Sequence, residues 1–278
     1  MYNILVVGAG YLGSRVVRHF QTKKQRVYAV TRSAEKAAAF ETEGILPVIA
    51  DLRKPETLRK IPAAHFIVIS VAPDQSTEEA YRHVYLEGIR NFLQSRAKHP
   101  RPYLMVLISS TSVWKDSGRE WVDENVPADA ETEKGKILRA SEELVLESGY
   151  PAVIFRLSGI YGPGRNRLAA LRSGRWPGPE EIDAYMNMIH VEDAVHALQT
   201  LFKEAKEGGL YIGTDEEPVL RSEFSGWLSQ KLGTGNSVSK TERPCGKRLK
   251  NGRLKELGFQ FLYPTFREGY EMIMAREK

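Results

Sequence analysis

A glycine-rich turn near the amino terminus is the feature of this sequence that most restricts its fold. The run Gly8-Ala9-Gly10-Tyr11-Leu12-Gly13 directly follows the apolar segment 2–7 and directly precedes a segment with helical periodicity. In this context Gly8 permits a tight turn, Gly10 lets a pyrophosphate approach the backbone, and Gly13 lets the helix pack closely on the strand. The motif therefore predicts a strand–turn–helix unit that binds a dinucleotide at the helix N-terminus. The alternative is a turn of the same shape without a ligand.

Short apolar segments recur at helix-sized intervals along the first part of the chain. They are nearly continuously apolar, as in strands that are covered on both faces, and the segments between them have helical periodicity. Strands are predicted at 2–7, 26–30, 46–50, 66–71, 103–109 and 152–157, and helices at 12–21, 33–42, 77–97 and 132–147. This alternation predicts an α/β fold with a doubly wound parallel sheet of the Rossmann type.

The alternation stops after residue 157, where a segment rich in Gly, Arg and Pro begins. Further on, the pattern predicts helices at 191–206, 222–232 and 266–275 and a strand at 210–212. We expect a dinucleotide-binding domain at 1–163 that is rejoined by about 188–215. Residues 164–187 and 216–278 are expected to form a small C-terminal substrate lobe.

Composition excludes several classes of protein. The chain has 278 residues, of which 42% are hydrophobic and 27% charged, so a disordered or low-complexity protein is excluded. The single cysteine, Cys245, cannot form an intramolecular disulfide or a multi-cysteine zinc site, and the histidines lack metal-ligand spacing. Because the sequence shows neither a signal peptide nor an apolar run long enough to span a membrane, we expect a cytoplasmic protein without a membrane or metal partner.

The end of the second predicted strand bears on the choice of dinucleotide. An acidic residue about 20 positions after the glycine run binds the ribose 2′-hydroxyl of NAD, whereas an arginine there accommodates the 2′-phosphate of NADP. This sequence has Arg32 at that place, and its first acidic residue afterwards is Glu35. The sequence therefore predicts NADP rather than NAD, with a solvated surface arginine as the alternative.

Several further motifs resemble the extended short-chain dehydrogenase/reductase family, the NAD-dependent epimerase/dehydratase group, and in particular its atypical members. Ser109-Ser110-Thr111-Ser112-Val113-Trp114 resembles the family's strand-five motif, and Tyr161-Gly162-Pro163-Gly164 and Ile189-His190-Val191-Glu192-Asp193 resemble two later signatures. The resemblance implies an adenine contact at Asp51-Leu52 and a loop over the cofactor at Val71-Ala72-Pro73. Together with the turn, the implied cofactor-binding residues are Gly8, Gly10, Tyr11, Leu12, Gly13, Arg32, Asp51, Leu52, Val71, Ala72, Pro73 and Ser109.

The chain departs from the family at the catalytic pair, a tyrosine and a lysine four residues later. The family pattern aligns Lys134 with the tyrosine and Leu138 with the lysine, and no tyrosine lies between Tyr103 and Tyr150. The resemblance carries over Ser110 as the residue that holds a substrate oxygen, with a strand-end serine bonded to backbone as the alternative. Tyr85 is a hypothetical replacement acid, and Lys134 is a second one if burial lowers its pKa.

A cluster of arginines follows the Tyr161 turn: Arg165, Arg167, Arg172 and Arg175. In the family this segment borders the substrate, so Tyr161, Arg165 and Arg167 are expected to bind a small, anionic substrate. A solvated arginine-rich loop is the alternative. The basic stretch 231–255 lacks interleaved aromatic residues, so nucleic acid is not expected as a partner. We therefore expect an NADP-dependent oxidoreductase or a nucleotide-sugar epimerase/dehydratase-like protein, with a non-catalytic NADP-binding sensor as the alternative. A monomer and a homodimer both remain open.

Overall fold

The computed structural model describes residues 1–116, 118, 120–176, 182–235, 240 and 244–277. The strands are β1 (Asn3–Val7), β2 (Arg26–Thr31), β3 (Leu46–Ile49), β4 (Phe66–Ile69), β5 (Leu104–Ser110), β6 (Trp121–Val122), β7 (Ala152–Leu157), β8 (Gly159–Tyr161), β9 (Tyr185–Met186), β10 (Met188–His190), β11 (Leu210–Gly213), β12 (Val219–Leu220) and β13 (Arg248–Leu249). The α-helices are α1 (Tyr11–Thr22), α2 (Ala34–Thr42), α3 (Pro55–Leu58), α4 (Glu78–Tyr81), α5 (Ile89–Ser95), α6 (Glu133–Leu146), α7 (Leu168–Arg172), α8 (Val191–Glu204), α9 (Arg221–Leu232), α10 (Gly252–Glu256) and α11 (Phe266–Arg276).

A seven-stranded sheet in the order β11-β7-β5-β4-β1-β2-β3 forms the centre of the fold. The pairs β1–β2, β1–β4, β2–β3 and β4–β5 are parallel. The order changes direction at β1, the strand that leads into the glycine turn. Ligands of open α/β sheets bind at such a switch point, beyond the carboxyl ends of the strands. The predicted fold class, a doubly wound parallel sheet, is confirmed.

The predicted helix at 77–97 is interrupted in the structure. Between α4 and α5 the segment Arg82–Gly88 is a π-helix, in which hydrogen bonds join residues five positions apart instead of four. The π-helix packs closely on Leu52 at Gly88. A Cβ at that position would lie 3.1 Å from the Cβ of Leu52 and 3.2 Å from the backbone oxygen of His83. The apolar periodicity of the sequence does not distinguish a π-turn from an uninterrupted α-helix.

The chain divides into two compact units, each built from three separate segments. The first unit comprises Met1–Val113, Ala128–Arg156 and Val195–Tyr211, and the second comprises Trp114–Pro127, Leu157–Ala194 and Ile212–Lys278. The change at residue 157 lies six residues before the expected boundary at 163. The segment 114–127 joins the second unit, which the sequence had not indicated.

The second unit has its own apolar core. Its members come from several helices and strands and are buried: Tyr161, Leu168, Leu171, Trp176, Met188, Val219, Phe224, Leu228, Phe266, Tyr270 and Ile273. The helix α11 joins this core and begins with a capping box, in which Thr265 and Glu268 satisfy each other's backbone N–H groups. Among the residues that the structure describes, no helix is long and apolar enough to cross a membrane.

Candidate functional site

The three glycines of the turn meet different surroundings. Gly8 has a φ of +99°, and a Cβ there would overlap the backbone oxygen of Ser70. A Cβ on Gly13 would overlap the backbone oxygen of Gly8. By contrast, a Cβ on Gly10 would meet none of the described atoms within 4 Å. The fold itself therefore requires Gly8 and Gly13, whereas Gly10 keeps a space open, as a backbone that carries a pyrophosphate does.

Substitutions at two of these glycines should separate folding from cofactor binding. We expect Gly10→Ala to unfold at the same denaturant concentration as the unsubstituted protein but to bind NAD(P)H at least tenfold more weakly, because its methyl group occupies the open space. Gly13→Ala should lower the free energy of unfolding by about 1–3 kcal/mol through overpacking. Urea unfolding and calorimetric titration measure the two effects. A Gly10→Ala variant with normal nucleotide affinity contradicts the assignment.

A cleft of about 290 Å³ lies next to this turn in the first unit. Eight of the predicted cofactor-binding residues line it: Gly8, Gly10, Arg32, Asp51, Leu52, Val71, Ala72 and Pro73. The residues described as lining the cleft do not include the other four predicted cofactor-binding residues, which are Tyr11, Leu12, Gly13 and Ser109. The cleft therefore gathers the turn, the end of β2, the end of β3 and the loop after β4, which are far apart in the sequence.

Three charged residues of the cleft lining were not anticipated from the sequence: Lys36, Arg53 and Asp74. Arg53 donates to Asp51, with 2.6 Å between Nη2 and Oδ2. Arg32 donates to Asp74 through Nη1 at 2.9 Å and Nη2 at 2.6 Å. Hydrogen bonds from these arginines hold the pKa values of Asp51 and Asp74 below their usual range. The cleft thus carries basic groups that suit phosphates, and its two arginines each have a carboxylate partner.

Ser109 has a role inside the first unit. Its hydroxyl donates to Oε1 of Glu142 at 2.6 Å, and Arg156 donates to both oxygens of the same carboxylate, at 2.8 Å and 2.6 Å. Glu142 is fully buried and Arg156 is 2% exposed. The hydroxyl of Ser109 therefore stabilises a buried ion pair, and the implied cofactor contact of this residue stays a prediction.

Ser110 lies at the end of β5 and is half-buried. Its Oγ accepts hydrogen bonds from the backbone N–H of Ser112 at 3.2 Å and from the Ser112 hydroxyl at 3.0 Å. The bond to the Ser112 backbone agrees with the alternative prediction for Ser110, a strand-end serine bonded to backbone. The hydroxyl hydrogen of Ser110 is not used by either bond, so it is available to donate to a substrate oxygen.

The two hypothetical replacement acids both lie near the ring of Tyr81. The ring centroids of Tyr85 and Tyr81 are 5.4 Å apart, and Nζ of Lys134 is 5.6 Å from the ring centroid of Tyr81. Lys134 donates to Oγ of Ser76 at 2.8 Å. Burial raises the pKa of Tyr85 well above its ordinary value, which makes its hydroxyl a weaker acid. The structure therefore does not favour Tyr85 as a proton donor at neutral pH.

Replacement of Tyr85 by phenylalanine tests the acid hypothesis directly. Because its pKa is raised by burial, we expect Tyr85→Phe to keep kcat within about twofold on any accepted substrate. Proton transfer by a side chain contributes roughly 100-fold or more, so a loss of that size would restore the hypothesis. The pH dependence of kcat measured on both proteins shows whether a titrating group has been removed.

In the second unit, Tyr161, Arg165 and Arg167 line one pocket of about 410 Å³. The other lining residues are Gly159, Ile160, Gly164, Asn166, Met186, Met188 and Tyr270. The ring of Tyr161 stacks on that of Tyr270 with centroids 5.0 Å apart. The pocket therefore combines two arginines with aromatic and thioether surfaces, which suits a ligand that is partly apolar and negatively charged.

The other two arginines of the predicted cluster have partners of their own. Arg172 forms an ion pair with Glu277 at 2.8 Å, and Arg175 donates to Oγ of Ser173 at 2.9 Å. In the basic stretch, the guanidinium of Arg248 lies 4.7 Å from the ring centroid of Trp121, an aromatic neighbour from a distant part of the sequence. Arg243, which the sequence analysis counts in that stretch, lies outside the described residues. Within the described ranges, no group of three or more His, Cys, Asp and Glu could hold a metal ion.

Comparison with known proteins agrees with this geometry. The model of the NAD-dependent epimerase/dehydratase family matches residues 4–212. The chain belongs to this family. A structure from Methylobacillus flagellatus, described as a candidate NAD-dependent epimerase/dehydratase, is 31% identical with a TM-score of 0.85 over 99% of this chain and 98% of that one. The family resemblance is thus confirmed, and membership supports an NAD(P)-dependent function of the epimerase, dehydratase or reductase type.

Two known proteins are similar to this chain over most of its length. Protein YeeZ of Escherichia coli (strain K12) is 25% identical over 274 residues, which are 95% of this chain and 97% of that protein. The 3-diazoavenalumate denitrifying reductase of a Streptomyces species is 24% identical over 253 residues, 83% of this chain and 81% of that enzyme. Both alignments extend beyond the cofactor-binding unit into the second unit.

Proposed function

We propose that this protein is an NADP-dependent oxidoreductase that acts on a small anionic substrate. The observation that carries the proposal is the position of Arg32, which lines the cleft beside the glycine turn together with Lys36 and Arg53. A guanidinium at the end of β2 suits the 2′-phosphate of NADP, which NAD lacks. The backbone at Gly8 and Gly10 would hold the pyrophosphate, and the cofactor would supply or accept a hydride.

The residues of the first unit support reduction better than epimerisation or dehydration. Epimerases and dehydratases of the family begin by removing a proton from a hydroxyl group, which requires an activated base such as the tyrosine–lysine pair. The sequence has no tyrosine from 104 to 149. A reductase can instead deliver hydride to an electron-poor acceptor and let water protonate the product. The relative named as a reductase of 3-diazoavenalumate is consistent with this chemistry.

The pocket of the second unit supports an anionic substrate. Arg165 and Arg167 line it and would bind a carboxylate or phosphate, while Tyr161 and Tyr270 provide apolar surface. Ser110, in the first unit, keeps a separate prediction as a residue that holds a substrate oxygen through its hydroxyl hydrogen. A non-catalytic sensor that binds NADP is the second candidate, because the missing tyrosine removes the usual proton donor without affecting the cleft.

A turnover assay distinguishes the two candidates. NADPH absorbance is followed with three sets of acceptors: aromatic diazo and azo carboxylates, small carbonyl acids, and nucleotide sugars. We expect consumption with an anionic acceptor, and an increase in KM of about tenfold or more in Arg167→Ala through loss of a charge-assisted contact. Arg172→Ala is the matched control, since Arg172 pairs with Glu277 and is outside the described pocket lining. Tight NADPH binding without any consumption favours the sensor.

A further inference from the structure

Arg32 and Asp74 form an ion pair with two parallel hydrogen bonds at the cofactor cleft. Arg32 comes from the end of β2, and Asp74 comes from the loop after β4, directly after Pro73. The distances are 2.9 Å from Nη1 to Oδ2 and 2.6 Å from Nη2 to Oδ1. The side chains are 42% and 68% exposed, respectively. Both residues line the cleft, so a bound nucleotide meets this pair rather than an isolated arginine.

The pair uses two of the five N–H donors of Arg32, one on each terminal nitrogen. A guanidinium binds a carboxylate or a phosphate through two parallel N–H groups, and Nη1 and Nη2 of Arg32 are both directed at Asp74. An incoming phosphate must therefore displace the carboxylate or share Arg32 with it at close range. Displacement costs the free energy of the ion pair between Arg32 and Asp74. Sharing also costs free energy, because two anions that lie on one guanidinium repel one another.

We propose that Asp74 is a specificity-determining residue that competes with the 2′-phosphate of NADP for Arg32 and so weakens NADP binding relative to NAD. This inference rests on the proposed function, in which Arg32 binds that phosphate. NAD has a 2′-hydroxyl instead, which can donate a hydrogen bond to a carboxylate and meets no repulsion. Asp74 thus opposes Arg32, and the balance of the two sets how strongly the protein prefers NADP.

The carboxylate has room to leave Arg32. Asp74 also lines a neighbouring depression, together with Arg53, Gln75 and His83. Because its side chain is mostly exposed, rotation about its own bonds can move it from the cleft into that depression. Competition therefore weakens NADP binding without preventing it.

Calorimetric titration with NADPH and with NADH tests this inference. We expect Asp74→Asn to bind NADPH about fivefold more tightly than the unsubstituted protein, which is the largest gain that the loss of an exposed ion pair usually gives. Its affinity for NADH should not increase. Since the effect acts through Arg32, Arg32→Ala/Asp74→Asn should bind NADPH no better than Arg32→Ala. High salt should reduce the gain, because it screens the exposed charges.

Glu43→Gln is the matched control for the change in net charge. Glu43 also accepts two hydrogen bonds from one arginine, from Nε of Arg18 at 2.6 Å and from Nη2 at 2.8 Å, and neither residue is in the described lining of the cleft. We expect its affinities for both nucleotides to equal those of the unsubstituted protein. A gain in NADPH affinity as large as that of Asp74→Asn would mean that net charge alone is responsible and would overturn the inference.

The remaining outcomes separate this inference from the proposed function. If the unsubstituted protein binds NADPH and Arg32→Ala weakens it, but Asp74→Asn changes nothing, the competition is refuted while the proposed function stands. An equal gain in the Arg32→Ala background also refutes the competition, because the effect then does not act through Arg32. If the unsubstituted protein does not bind NADPH, the proposed function and the inference that rests on it both fail. Thermal unfolding of each variant confirms that it is folded before titration.

Discussion

Replacing Glu142 by glutamine is expected to lower the free energy of unfolding by about 3–5 kcal/mol. The substitution keeps the shape of the side chain but removes the charge that faces Arg156, which is 2% exposed. A buried guanidinium without its counterion retains the full cost of leaving water. Ser109 also donates to Glu142, so the same change weakens the end of β5.

Urea unfolding followed by circular dichroism measures this effect, with Glu143→Gln as the control. Glu143 is the next residue of α6, is half exposed and pairs with Arg139 at 3.1 Å, so its replacement should cost less than about 0.5 kcal/mol. Replacing both Glu142 and Arg156 by apolar residues should recover much of the loss, since no unpaired charge then remains. Equal stability of Glu142→Gln and Glu143→Gln would show that the buried pair does not stabilise the unit.

Replacing Arg32 by alanine is expected to weaken NADPH binding by about 30-fold, which corresponds to roughly 2 kcal/mol, while NADH binding changes by less than about twofold. The reason is that only NADPH has the 2′-phosphate that the guanidinium would bind. Competitive titration against each nucleotide measures the ratio, and the salt dependence of NADPH binding should become shallower in the variant.

Arg18→Ala provides the control for the arginine substitution. Arg18 also forms a two-bond ion pair, with Glu43, and is not in the described lining of the cleft. Its removal should leave both affinities unchanged. If Arg32→Ala instead weakens NADPH and NADH equally, Arg32 would position the loop that carries Asp74 rather than recognise the phosphate.

The sequence predicted the parts of the fold that depend on local patterns. The strand at 152–157 was predicted with its observed bounds because β7 is buried along its whole length and is apolar at every position except Arg156. The tight turn predicted at Gly8 and the close packing predicted at Gly13 agree with their surroundings, whereas the pyrophosphate contact of Gly10 stays a prediction. Family membership followed from motifs that lie in the expected order.

Features that depend on contacts between distant segments could not be predicted in this way. Arg32 was singled out, but its partner Asp74 lies 42 residues away, and nothing in the local sequence of either residue indicates the pairing. The hydrogen bond from Ser109 to its buried partner Glu142, on α6, could not be foreseen for the same reason. Similarly, Tyr270 reaches the pocket of Arg167 from more than 100 positions along the chain.

The division of each unit into three segments has a consequence for biosynthesis. The first unit lacks part of its packing until Val195–Tyr211 is made, because Phe202 stacks on Phe66 with centroids 4.5 Å apart and also contacts Phe20. At about 5–20 residues per second, the ribosome needs roughly 3–11 s to go from residue 157 to residue 211. During that interval Phe66 of β4 and Phe20 of α1 lack the contact with Phe202, so the chain should be most dependent on chaperones after β7 has emerged and before α8 has followed it.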